Sequence, residues 1–271
     1  MTKKHTTHTE SSSQELSAHF SALTLMASRA LPLVIARNDI EALHDLRVNL
    51  RSLRVLQGLF PHSDLINTQR KQLGVAIKLT GFVRDMEVAL TQAESMHANT
   101  HTGEAIVVWL AKRLASSRKS LSVRLQTIQI QETLLQASLS WGEKISRERH
   151  HVLQSTARKH DRKLEKQLLN AADHVHLNSP ITDWHILRLK TKHLRYWREG
   201  FAHLLTKPQC RRLPVLVKLQ QQLGLLHDVS LFEALFSQEH VLPSSWHIKL
   251  KKQQENTLKQ AANTLRHLKK S

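Results

Sequence analysis

Residues 44–54 (HDLRVNLRSLR) return as residues 185–195 (HILRLKTKHLR), at a constant offset of 141 (185 − 44). His44, Arg47, Arg51 and Arg54 correspond to His185, Arg188, Lys192 and Arg195. At 100° per residue each set spans an arc of about 80° on one helix face. Leu43, Leu46, Leu50, Leu53 and Leu56 fill the neighbouring arc, as do Trp184, Leu187, Leu194 and Trp197 in the second copy. An apolar stripe is buried, so the basic stripe beside it is held in a fixed orientation. A later pair repeats as well: Gly81-Phe82-Val83-Arg84-Asp85 matches Gly224-Leu225-Leu226-His227-Asp228 at an offset of 143 (227 − 84). Duplicated helical segments predict an all-α fold, an internally duplicated helical bundle of two pseudo-symmetric halves, and convergence of their basic stripes is the accompanying hypothesis.

Only 7 Gly and 6 Pro occur in 271 residues, and no stretch alternates in the manner of a strand. Breaks at Asn38-Asp39, Pro61 to Ser63, Asn99 to Gly103, Asn178 to Pro180, Pro208 to Pro214 and Pro243 to Ser245 divide the chain into about eight helices. Asp39, Ser63 and either Thr182 or Asp183 are the predicted caps. Residues 1–15, rich in Thr, Ser and His, read as a flexible tail with His5 and His8 as nonspecific metal ligands at most. Residues 16–271 form the folded part, with a first half of about 16–140 and a second of about 141–271. Leu16 to Ala36 is moderately apolar, but His19, Arg29 and Pro32 interrupt it, so it reads as a core helix and no membrane insertion is expected.

Forty Lys and Arg against 22 Asp and Glu give a net charge of +18 before any of the 19 His gains a proton. That excess calls for an acidic partner: nucleic acid, an anionic membrane surface or a phosphate polymer. A single cysteine, Cys210, excludes an internal disulfide and a Cys-based zinc site, and suits a cytoplasmic setting.

The stripes recur at matching positions, and Arg is prominent in them, whose planar fork suits phosphate oxygens. His44 and His185 lead them as candidate phosphate donors. The surrounding cations disfavour a charged imidazole in an empty site, and a bound polyanion favours it. Asp85 and Asp228 read as carboxylates that orient nearby Arg side chains, because an unpaired buried carboxylate is costly. Arg84 and His227 are candidates to face the ligand, and Tyr196 falls near the basic arc.

These motifs resemble those of the CHAD family, the conserved histidine α-helical domain. The resemblance runs through His44-Asp45-Leu46-Arg47-Val48, Arg51, Leu53-Arg54 and Gly81 to Val88. It resumes at His185 to Arg188, Lys192 to Tyr196 and Leu223 to Asp228, covering roughly residues 16–271. Ser52 stands where the family often has a second Arg, which weakens one positive site. Thr80 replaces the Leu before Gly81, a change expected to touch packing more than binding. The resemblance implies a helical duplicated fold around a basic cavity, and binding of inorganic polyphosphate there by the residues named, with polyphosphate granules as a location.

No Gly-x-x-x-x-Gly-Lys-Ser/Thr loop is present, nor the Glu-x-Glu-x-Lys pattern of the CYTH triphosphatases sometimes fused to this family. Clustered carboxylates to hold a divalent metal are also missing, so no catalytic residue, metal or cofactor is expected. The reading is therefore a noncatalytic polyphosphate-binding module. Nonspecific nucleic-acid binding by the same surface is the alternative, disfavoured by an aromatic content of 4%. A phosphohydrolase ranks third. Losing Arg47 and Arg188 is expected to weaken binding without unfolding, whereas losing Leu50 or Leu194 damages the core.

Overall fold

The computed structural model describes residues 3–37, 39, 41–96, 100–236 and 242–270, with side chains from Ser13 to Lys269. The side chains of His5 and His8, and residues Asn38 and Asn99 in two of the expected breaks, lie outside that set. The described residues are mostly helical, with no strand among them. Eleven α-helices follow one another: α1 (Lys3–Ala36), α2 (Ala42–Leu56), α3 (Asp64–Leu79), α4 (Gly81–Met96), α5 (His101–Thr127), α6 (Ile130–Arg147), α7 (His150–Asp173), α8 (Ile181–Gly200), α9 (Lys207–Arg211), α10 (Leu213–Phe236) and α11 (Ser244–Lys270). A 3-10 turn, Gln57–Leu59, extends α2.

Among the described residues eleven helices stand where about eight were expected, because the α5–α6 and α6–α7 junctions carry neither Gly nor Pro and the α3–α4 junction carries only Gly81, the first residue of α4. At the α3–α4 junction Thr80 is the C-cap of α3, and its hydroxyl donates to the carbonyls of Ala76 and Ile77, both at 3.0 Å. Gln129, before α6, adopts a left-handed backbone (φ 49°) without being glycine. Glu148 turns extended after α6. Helix α1 starts at Lys3, well before Leu16, since Lys3 to Gln14 contains no helix breaker. Ser63 caps α3 by accepting from Ile66 N at 3.5 Å. Asp39 Oδ1 accepts from Glu41 N at 2.8 Å, just ahead of α2. Thr182 and Asp183 lie inside the first turn of α8, not before it; there Asp183 favours the positive end of the helix dipole.

The chain separates into two compact units. The first gathers residues 1–82, 118–163 and 196–210; the second gathers 83–117, 164–195 and 211–271. Compactness thus divides the chain differently from the sequence repeat, with both units drawing on both halves. In the first unit α1 packs against α2 and α6, and α3 packs against both α2 and α6. Ser13–Ala36 is long and apolar enough to cross a bilayer, yet it places Leu16, Phe20, Ala27, Leu31 and Val34 in the core. Phe20 stacks on the fully buried Trp141 at 4.3 Å, and Leu43, Leu46, Leu50, Leu53 and Leu56 of α2 are all buried. In the second unit α10 pairs with α11, and Phe232 lies between Phe236 and Trp246. Trp184, Leu187 and Leu194 of α8 are buried there.

Candidate functional site

On α2 the apolar arc fixes which way the basic arc points, and the four motif residues then meet different surroundings. His44 and Arg54 are exposed, Arg51 is half-buried, and Arg47 is only 7% exposed. Arg47 Nη1 donates to the Ile77 carbonyl at 2.8 Å and to the Thr80 hydroxyl at 2.6 Å. The Thr at position 80 therefore reaches a stripe residue directly, and its effect is not confined to packing. Arg47 also ties α2 to the end of α3, so its removal costs stability along with any binding. Thr80→Val should destabilise the protein by about 1–3 kcal/mol, because it removes one of the two acceptors that the buried Arg47 Nη1 uses, leaving the Ile77 carbonyl. Urea unfolding checks this; an unchanged midpoint would mean that the junction does not depend on that hydroxyl.

Arg54 brings in a residue that the motif reading missed. Arg70 of α3 donates from Nε to the Arg54 carbonyl at 3.1 Å. Its pKa is lowered from the usual Arg value by burial and then by the neighbouring Arg54 charge. Gly74, one turn further along α3, leaves the space that Arg54 occupies: a Cβ there would stand 3.2 Å from Arg54 Nε. No spacing within α3 announces this contact, because it is made to a residue of α2.

The second unit assembles a larger cluster from α4, α8 and α10. Arg84 and Asp85 come from α4, His185, Arg188 and Lys192 from α8, and His227 and Asp228 from α10; all are half-buried, as is Arg195 further along α8. The His185 and His227 rings stand 5.1 Å apart. Burial, reinforced by Arg188, His185 and Lys192, lowers the His227 pKa to about 4. Burial and then Arg188 and Lys192 hold His185 below its usual value too. Asp228 is pushed upward, by burial first and by Asp85 in addition, while Arg188, Lys192 and Arg84 oppose the rise. So the carboxylate of α10 lies among three cations from two other helices. Arg84 has a further partner, Glu87, at 3.2 Å. Glu87 is 6% exposed, and its position three residues after Arg84 made the pair readable as a helical ion pair.

Tyr196 and Trp197 follow Arg195 on α8 but belong to the first unit, and both are buried. Arg198, next in line, is wholly buried: Nε and Nη2 bind Asp161 Oδ1 and Oδ2 at 2.9 and 3.0 Å. No group of three or more His, Cys, Asp or Glu side chains among the described residues is placed to hold a metal ion. Chemically, the second-unit cluster presents guanidinium and ammonium groups with imidazoles kept neutral. It can accept anionic charge and, on doing so, take up protons.

A family model described as the CHAD domain matches residues 18–237. The fold is similar to that of the crystallised CHAD domain from the plant Ricinus communis, with a TM-score of 0.65 at 19% identity, covering 94% of this chain and 91% of that one. It is also similar to PptA from Streptomyces chartreusis, with a TM-score of 0.63 at 17% identity over 96% and 99% of the respective chains. No curated protein sequence matches the chain.

Proposed function

The chain belongs to the CHAD domain family, and we propose that it binds inorganic polyphosphate, without catalysis, through the basic stripes of α2 and α8. The observation that carries this reading is the second-unit cluster, where Arg84, Arg188 and Lys192 act on Asp228, and Arg188 and Lys192 also act on the imidazoles of His185 and His227. Arg188 and Lys192 disfavour protonation of the imidazoles beside them, and an anion of repeating charge that engages these cations relieves that effect. The stripe recurs on α2, which suits a polymer better than a single phosphate. His44, Arg47, Arg51 and Arg54 form one contact surface. His185, Arg188, Lys192, Arg195, Arg84 and His227 form the other, with Asp85 and Asp228 as orienting carboxylates. The basic central cavity implied by the family, and a cytoplasmic location at polyphosphate granules, belong to the same proposal.

Calorimetry with long-chain polyphosphate at near-physiological salt, with magnesium present and RNA as competitor, tests it. Tight binding that resists RNA and releases no phosphate is the expected result. Easy displacement by RNA would favour nonspecific nucleic-acid binding, and metal-dependent phosphate release would favour a hydrolase.

The pH dependence has a definite sign. His227 titrates near 4 in the empty site against a usual value of 6.5. Between those limits the unfolded chain holds more protons, so acidification removes stability from the ligand-free protein. A bound polyanion offsets the charges of Arg188 and Lys192 and raises the imidazole pKa. Binding therefore takes up protons, and affinity should increase as pH falls from about 6.5 toward 4. Calorimetry in buffers of different ionisation enthalpy counts those protons; affinity that weakens with acidification would contradict this role for His227.

A further inference from the structure

A cavity of about 770 Å³ lies inside the first unit, bounded by the turn from Gly58 to Ser63, the end of α6 and one face of α7. Val152, Thr156, Lys159 and Lys163 recur along that face at helical spacing. Lys144 and His160 add to the basic lining, and the acidic residue there, Glu148, sits 3.7 Å from Lys144. None of these positions falls in the repeated motifs.

The cavity adjoins the α2 stripe through Arg70. This residue is hydrogen-bonded to the Arg54 carbonyl, and a Cβ on Gly58, in the cavity wall, would stand 3.8 Å from Arg70 Nη2. His160 lines the cavity with its ring 4.2 Å from that of Trp197. Its pKa is lowered by burial, then by Lys163 and Arg70, with Asp161 opposing. Arg54, Arg70, His160 and Lys163 thus succeed one another as neighbours within a single unit. Each cation in such a row raises the cost of leaving the next one uncompensated, and one flexible polyanion can relieve them all.

We propose that this cavity continues the polyanion surface that begins on α2, so that long polyphosphate engages Arg54, Arg70 and the α7 lysines together while a short chain stays on the stripe. The inference rests on the polyphosphate reading above, and it makes α7 a determinant of chain-length preference.

Binding of tripolyphosphate and of long-chain polyphosphate is compared in the full chain and in Lys159→Gln/Lys163→Gln. Both lysines are exposed, so the helix should persist, which circular dichroism confirms. Affinity for the long chain should fall about tenfold and that for tripolyphosphate less than about twofold, as expected when phosphate contacts are lost only to the longer ligand. A charge-matched control, Lys251→Gln/Lys252→Gln on α11, should leave both affinities within about twofold. Equal losses for both ligands, an equal loss in the α11 control, or no loss at all would overturn the proposal. If the unaltered chain bound no polyphosphate of either length, the polyphosphate reading itself would be wrong.

Discussion

Replacing Arg188 and Lys192 together by glutamine should weaken long-chain polyphosphate binding by a hundredfold or more. Hydrogen bonds to charged groups contribute about 1.5–3 kcal/mol each, and two such losses amount to at least two decades in affinity. The salt dependence should change as well, the slope of log affinity against log salt becoming shallower by about 1.5 for two lost phosphate contacts. These two residues are the right pair to remove because both act on His227 and Asp228. Their loss leaves the His227 imidazole easier to protonate, so its pKa should rise from about 4 toward the usual 6.5. Imidazole titration by NMR reads that change in the ligand-free protein. A raised His227 pKa with undiminished binding would show that the cluster exists but does not hold the polymer. An unmoved pKa would show that the cations do not act on His227.

The parts of this arrangement that were legible in the sequence are those encoded by spacing along one helix. The leucines of α2 and Trp184, Leu187, Leu194 and Trp197 of α8 are buried as their period predicts, because a 3.6-residue repeat leaves an apolar stripe one place to go. The kinship of Arg84-Asp85 and His227-Asp228 was readable as a repeated motif. Arg70 was not, since it approaches Arg54 from a different helix and His160 from 90 positions away (160 − 70). Periodicity carries no information about which turn of one helix meets which turn of another. The junction at Thr80 escaped for a related reason. A hydroxyl that accepts from Arg47 on another helix looks, in sequence, like any threonine in a helical run. The corresponding residue of the second copy, Leu223, has no hydroxyl to accept such a bond.

Arg198 separates the two fates of arginine on α8. It stands three residues after Arg195 (198 − 195), but at 100° per residue it falls on the apolar arc, between Leu187 and Trp184, and its counterpart in the first copy is Gln57. It is fully buried in a bidentate pair with Asp161, whose Oδ2 also accepts from Gln209 Nε2 at 2.9 Å. Truncating one member of such a pair leaves the other charge in the core without compensation. Asp161→Ala should therefore cost about 3–5 kcal/mol of stability. Replacing both at once by apolar residues of similar size, Arg198→Met with Asp161→Leu, should recover most of that loss, since the desolvation penalty disappears together with the attraction. Urea unfolding of the single and double variants measures the difference. If the double variant were as unstable as Asp161→Ala, the geometry of the pair, and not its charge balance, would be what the core requires. Polyphosphate affinity, measured where each variant is folded, should be unchanged in the double variant. Arg198 has no solvent-facing surface from which to reach a phosphate, so what assigns one arginine of α8 to a ligand and another to the core is burial.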